Sequence, residues 1–97
     1  MLNPVDRKVA IVTGSNTGIG FGLATELAKK NIFVIMACRS TQKGELAAKQ
    51  IGSNVIVRQL DLCSFKSIKS FVTDFTASFQ QLDLLINNAG ILSSKVF

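Results

Sequence analysis

The segment of this 97-residue chain with the clearest chemical content is glycine-rich and reads TGSNTGIG at residues 13–20. It follows an apolar run at residues 9–12 and precedes apolar residues at helical spacing, so the pattern predicts a strand, a tight turn and a helix start. Glycine permits positive φ and has no Cβ, which lets backbone press against a ligand, and the free N–H groups of a helix start attract an anion. A phosphate is the ligand that such a turn favours.

The spacing of the glycines narrows the class of phosphate ligand. A P-loop requires Lys and Ser or Thr directly after its last glycine, whereas Ile19, Gly20 and Phe21 follow Gly18 here, which disfavours a nucleoside-triphosphate hydrolase. The pattern is TGxxxGxG and not the GxGxxG of many dinucleotide-binding folds. Taken alone, the motif is also compatible with a glycine-rich turn that holds no ligand.

Arg39 is the second candidate, because it stands at the end of the second predicted strand, about 20 residues beyond the glycines. A carboxylate at this place would bind the ribose 2′-hydroxyl of NAD and repel the 2′-phosphate of NADP, but the segment reads ACRS at residues 37–40. Arg39 can pair bidentately with a phosphate, and such charge-assisted bonds contribute roughly 1.5 to 3 kcal/mol. The sequence therefore predicts NADP over NAD, with a surface arginine that caps a strand as the alternative.

Two further motifs stand at the ends of the third and fourth predicted strands. After the third, the carboxylate of Asp61 can accept from an adenine amino group while the backbone at Leu62 lies along the ring; Asp61 alone is equally typical of a helix start. After the fourth, residues 87–90 read NNAG. Asn side chains satisfy backbone groups at strand ends, and small residues let backbone approach a ligand.

Together and in this order, these motifs resemble the short-chain dehydrogenase/reductase family over about residues 6 to 92. The ACRS segment is most similar to the retinol dehydrogenase and carbonyl reductase relatives that use NADP. The resemblance implies that the glycine motif binds the cofactor's pyrophosphate, that Asp61 contacts adenine and that the NNAG motif lies against the ribose. The implied cofactor-binding residues are Gly14, Ser15, Asn16, Thr17, Gly18, Ile19, Gly20, Arg39, Ser40, Asp61, Leu62, Asn88, Ala89 and Gly90.

The chain departs from the family pattern in two places. Family members often reinforce a preference for NADP with a basic residue just before the second glycine, where this chain has Thr17, so a moderate preference is expected. The family's catalysis uses a tyrosine in a YxxxK motif and an upstream serine, whereas this chain has no tyrosine, and Ser93 and Ser94 are too close to NNAG to match. No residue is therefore assigned a catalytic role.

Three interpretations follow for the function. The first is the NADP(H)-binding amino-terminal half of a short-chain oxidoreductase that acts on carbonyl or alcohol substrates, inactive without the Tyr-Lys half. The second is a stand-alone nucleotide-binding or regulatory module without catalysis. The third is an interaction protein whose fourth strand pairs with a partner, and the apolar edge at residues 82–86 also suggests self-association.

The elements that must position these motifs alternate along the chain. Strands are predicted at residues 8–13, 32–37, 55–60 and 82–87, and helices at 18–30, from Ser40 or Thr41 to 50, and from 64. Such alternation predicts an α/β fold of Rossmann-like, three-layer type: a parallel four-stranded sheet of order 3-2-1-4 with three helices, a truncated doubly wound fold. Residues 1–97 form one partial dinucleotide-binding domain, with 91–97 a loose tail.

Apolar spacing predicts which helix faces pack on this sheet. The first two helices share one face of the sheet, the second of them through Leu46, Ala47 and Ile51. The third covers the other face with an aromatic stripe: Phe65, Ile68, Phe71, Val72, Phe75 and Phe79.

Composition disfavours several other function classes. The net charge is +5, but the lysines are scattered without aromatic interleaving, which does not indicate nucleic-acid binding. There is no histidine, and Cys38 and Cys63 are far apart, so a metal site is not expected. The longest apolar run, residues 32–38, is too short for a membrane span and residues 1–8 lack a signal-like core, so a cytoplasmic protein is expected.

Overall fold

The computed structural model describes residues 7–88, in which strands and helices alternate as predicted. The elements are β1 (Val9–Thr13), α1 (Gly18–Lys29), β2 (Phe33–Cys38), α2 (Thr41–Lys49), β3 (Val55–Gln59), α3 (Phe65–Ser78) and β4 (Leu84–Ile86). Only β4 is markedly shorter than its predicted range. The loose tail predicted at 91–97 lies outside the described residues. Within residues 7–88, no helix combines the length and apolar character that crossing a membrane requires.

The four strands form one parallel sheet in the order β3-β2-β1-β4, which confirms the predicted fold. Every residue of β1 and β2 is buried, as expected for central strands covered on both faces. The two faces carry separate apolar clusters, one with α1 and α2 and the other with α3. The carboxyl ends of all four strands therefore lie at one edge of the sheet, and the loops after β1 and β4 are neighbours there.

Helix α2 packs on the sheet through small residues. Gly44, Ala47 and Ala48 are buried, and a Cβ on Gly44 would lie 2.8 Å from Val57 Cγ1. The prediction that Leu46 belongs to the packed face is wrong, because this side chain is 60% exposed. It lies about 100° around the helix from Ala47, and the packed stripe follows the small residues instead.

Helix α3 begins after Ser64, whose Oγ accepts a hydrogen bond of 3.1 Å from the Ser67 N–H. Phe71 and Phe79 are buried, and the Phe79 ring stacks 5.2 Å from that of Phe75. Two members of the predicted aromatic stripe do not belong to it, since Phe65 is 83% and Val72 is 52% exposed. Both stand at the margin of the stripe, where the helix surface curves away from the sheet.

A carboxylate reinforces the pairing of the edge strand β4 with β1. Asp83 Oδ2 accepts hydrogen bonds of 2.8 Å from the Val9 N–H and 2.7 Å from Gln81 Nε2, and the Asp83 N–H donates to the Val9 carbonyl at 2.9 Å. The bond from the Val9 N–H, followed by that from Gln81, holds the pKa of Asp83 below its ordinary value. Ionised Asp83 therefore stabilises the β1–β4 pair.

This arrangement predicts a loss of stability in acid that depends on Asp83. Because its pKa is lower in the folded chain than in the unfolded one, its contribution is present above about pH 4 and is lost as the pH falls further. We expect Asp83→Asn to lower the thermal unfolding midpoint at about pH 7, and the gap from wild type to narrow towards about pH 3. Circular dichroism melts at both pH values measure this.

The matched control is Asp74→Asn, which removes an exposed carboxylate from α3. It should leave the midpoint at neutral pH unchanged. A gap between Asp83→Asn and wild type that stays constant with pH would contradict the role given to the ionised carboxylate.

Candidate functional site

The glycine-rich turn adopts backbone conformations that require glycine at two positions. Gly14 has φ 59° and Gly18 has φ 60°, both in the left-handed region. The Gly14 N–H donates to the Ala37 carbonyl at 3.0 Å, which ties the turn to the end of β2. The turn thus leaves β1 and reverses directly into α1.

Glycine is needed at position 20 for a different reason, because neighbouring atoms leave no space for a Cβ. A Cβ at this position would collide with the Gly14 carbonyl oxygen and lie 2.8 Å from Asn88 Nδ2. Asn88 Nδ2 donates to the same Gly14 oxygen at 3.1 Å, and Thr13 Oγ1 donates to Asn87 Oδ1 at 3.1 Å. The loops after β1 and β4 are therefore joined, as the strand order predicts.

The amino terminus of α1 differs from those of the other two helices. Ser40 and Ser64 cap α2 and α3 by accepting from the N–H groups of Lys43 and Ser67, whereas in the described chain the Thr17 side chain makes no such bond to α1. The first-turn N–H groups of α1 are left without a side-chain acceptor there, and they carry the positive end of the helix dipole. This terminus is therefore suited to an anion.

A cavity of about 240 Å³ opens beside the turn, at the carboxyl ends of β1, β2 and β3. Its lining residues are Thr13, Gly14, Asn16, Ala37, Arg39, Leu60, Asp61, Leu62 and Cys63. The structure thus brings together five predicted site residues that are far apart in sequence. It adds Thr13, Ala37, Leu60 and Cys63, which sequence reasoning missed; their place at or just beyond a strand end is the signal that would have found them.

A second depression, of about 360 Å³, lies on the other side of the turn, between α1 and α2. It is lined by Asn16, Thr17, Gly18, Phe21, Lys43, Leu46, Ala47 and Gln50. Because Asn16 also lines the first cavity, the two spaces meet at the glycine turn. A Cβ at Gly18 would meet no atom within 4 Å, so the backbone there is open to a ligand.

Hydrogen bonds hold Asp61 and Ser40 in place. Asp61 Oδ1 accepts from the Cys63 N–H at 3.0 Å, and the Asp61 N–H donates to Ser67 Oγ at 2.9 Å. Ser40 Oγ accepts from the Lys43 N–H at 3.2 Å, which leaves its own proton for another acceptor. The neighbouring Arg39 is exposed. It forms no ion pair among residues 7–88, where the one ion pair joins Glu26 and Lys29.

Five of the predicted site residues that the structure describes line neither space: Ser15, Ile19, Gly20, Ser40 and Asn88. Ser15 is fully buried with its Oγ 3.6 Å from Cys38 Sγ, so its side chain does not reach either space. Ile19 points outward and is 73% exposed. Ala89 and Gly90 lie outside the described residues.

Comparisons with known proteins match this architecture. The sequence profile described as short chain dehydrogenase matches residues 8–97. Retinol dehydrogenase 11 of Mus musculus is 53% identical over 90 residues, which are 88% of this chain and 28% of that protein. The chain therefore spans little more than a quarter of this relative's length.

Two solved structures illustrate the shared fold. Menthone neomenthol reductase from Mentha piperita superimposes with a TM-score of 0.79 at 31% identity, over 93% of this chain and 38% of that one. A metagenomic short-chain oxidoreductase, solved in complex with NADP, has a TM-score of 0.78 at 30% identity, over 84% of this chain and 38% of that one.

The contact at Gly20 predicts a strong response to one added methyl group. We expect Gly20→Ala to lower the free energy of unfolding by about 1 to 3 kcal/mol, because the methyl group meets backbone that Asn88 holds in place. Chemical denaturation followed by circular dichroism measures the change.

Gly22→Ala is the matched control, two residues further along α1. Its Cβ would meet no atom within 4 Å, so the substitution should stabilise the chain by about 0.5 to 1 kcal/mol through helix propensity. If both substitutions changed the free energy of unfolding equally, the contact with Gly14 would not restrict the side chain at position 20.

Proposed function

This chain belongs to the short-chain dehydrogenase family, and we propose that it is the NADP(H)-binding portion of an oxidoreductase that acts on carbonyl or alcohol substrates. The observation that carries the proposal is the convergence of the glycine turn, Arg39 and Asp61 on one cavity at the carboxyl edge of the sheet. Ligands of doubly wound sheets bind at this edge. The chain corresponds to the amino-terminal portion of the family fold.

The turn and the start of α1 fit a pyrophosphate. Gly18 offers bare backbone to the open side, and the first-turn N–H groups of α1 supply donors and positive dipole. The contact between Gly20 and Gly14 holds the helix start close to the end of β1. Backbone amides, and not a lysine, would thus neutralise the two phosphates.

The cavity beyond the turn fits an adenosine. Ala37, Leu60 and Leu62 offer apolar surface for a base, and Asp61 stands at its rim. With Oδ1 engaged by the Cys63 N–H, the second carboxylate oxygen is the acceptor for an exocyclic amino group. Asp61 would therefore select adenine by its edge.

The charges at the end of β2 support NADP over NAD. Arg39 follows β2 directly, lines the cavity and has no carboxylate within 4 Å among residues 7–88. Ser40, beside it, keeps its hydroxyl proton free for a phosphate oxygen. A 2′-phosphate would supply the negative charge that is lacking around Arg39.

When bound, the nicotinamide supplies hydride transfer, and the residues of this chain bind and orient the dinucleotide. The Thr13–Asn87 and Asn88–Gly14 hydrogen bonds fix the loop after β4 beside the turn, where the ribose next to the nicotinamide would lie. The chain has no tyrosine to act as the acid, so we place catalysis in further parts of the enzyme. The name of the mouse relative suggests a retinol-like alcohol as the substrate class.

A nucleotide-binding module without catalysis is the second candidate function, and the lack of tyrosine favours it.

Under either candidate function, the edge strand β4 exposes apolar side chains. Leu84 is 40% and Leu85 is 58% exposed, beside an apolar depression of about 330 Å³ under α3. We propose that this edge self-associates wherever nothing else covers it.

The role of Arg39 predicts a selective loss of affinity. We expect Arg39→Ala to weaken binding of 2′-phospho-ADP-ribose by roughly 10- to 100-fold and to leave binding of ADP-ribose unchanged. Titration calorimetry measures both, since the chain has neither Trp nor Tyr for fluorescence.

Arg7→Ala is the matched control, because Arg7 precedes β1 at the opposite edge of the sheet, over the Phe33 ring. It should alter neither affinity. Equal binding of the two ligands by wild type would remove the proposed preference for NADP.

The missing acid predicts that this chain alone does not turn over substrate. We expect no oxidation of NADPH by the purified chain in the presence of aldehydes or ketones, followed by NADPH absorbance. Turnover above the rate without protein would show that another group of this chain acts as the acid.

A further inference from the structure

The first turn of α2 carries a lysine directly beside the proposed cofactor site. The Ser40 cap fixes the backbone of Lys43 by accepting its N–H at 3.2 Å. The Lys43 side chain lines the depression that also contains Asn16, Thr17 and Gly18. Lys43 therefore stands beside the glycine turn, on the side away from Asp61.

The local electrostatics give this lysine no partner within the described chain. A cation in the first turn of a helix lies at the positive end of the dipole, and α2 has no acidic residue in that turn. Among residues 7–88 the ion pair is Glu26–Lys29, so no carboxylate lies within 4 Å of the Lys43 ammonium. An external anion is the partner that this position favours.

Lys43 and Arg39 line two neighbouring spaces that meet at the glycine turn. Arg39 lines the cavity, Lys43 lines the depression, and Asn16 lines both. A phosphate monoester carries between one and two negative charges near neutral pH, and a single exposed cation neutralises it only in part. Two cations reaching it from different elements would do so more fully.

We propose that Lys43 is a second determinant of NADP specificity, which contacts the 2′-phosphate from α2 and takes the place of the basic residue missing at Thr17. This inference rests on the proposed cofactor function. The relevant cation is supplied by a neighbouring helix and not by the glycine motif itself.

Binding of 2′-phospho-ADP-ribose and ADP-ribose to the Lys43→Gln variant tests the proposal. We expect roughly a two- to fivefold loss for the phosphorylated ligand and no change for the other, with a weaker dependence on salt than in wild type. Lys49→Gln, on the last turn of the same helix, is the matched control and should bind both ligands as wild type does. Because Lys43 is exposed and stands at the positive end of the α2 dipole, its replacement should not lower the thermal midpoint.

A second-site variant tests whether a lysine at position 17 can replace Lys43. Thr17→Lys introduced into Lys43→Gln should restore the discrimination between the two ligands, since both side chains line the same depression. If Lys43→Gln discriminates as strongly as wild type, the role of Lys43 is overturned and the cofactor function stands. If wild type binds neither ligand, the proposed function is overturned, and this inference with it.

Discussion

The approach of Gly20 to the carbonyl of Gly14 is the constraint on which the site depends. It sets the distance between the end of β1 and the start of α1, and Asn88 fixes the same carbonyl from β4. The open backbone at Gly18 and the donor groups of α1 lie directly beside this contact. The phosphate site that we propose here would therefore result from how tightly the backbone closes, and side-chain charge would be secondary to it.

The three helices differ in whether a side chain caps their amino terminus. Ser40 and Ser64 accept hydrogen bonds from first-turn N–H groups of α2 and α3, while Thr17 makes no such bond within the described residues. A side-chain cap at α1 would stabilise the free chain but compete with an anion for the same donors. The chain thus keeps its available donors at the one helix start that lies between β1 and β4.

Much of the fold follows from the sequence because its signals are local. Continuous apolar strands, serine caps and alternating elements predicted most boundaries to within one residue, and the doubly wound topology rule predicted the order 3-2-1-4. The errors concern side chains at the margins of helix faces, such as Leu46 and Phe65, where the packed stripe depends on how closely a helix approaches the sheet. For the candidate site, strand-end motifs pointed to Arg39 and Asp61, which line one cavity, but the burial of Ser15 and the depression shared by Lys43 and Thr17 depend on tertiary packing.

The pairing of Val9 with Asp83 spans 74 positions of the chain and has a consequence for the order of folding. The central strand β1 is made early in synthesis, and its two neighbours in the sheet are β2 and β4. Both sides of β1 are therefore paired only after nearly all of the described chain has been made. Such distant closure slows folding, since the entropy of a long loop is lost before the contact forms. Asn88 and Gly14 are also 74 positions apart in sequence, so the hydrogen bond that joins the loops after β1 and β4 can form only when nearly all of the described chain has been made.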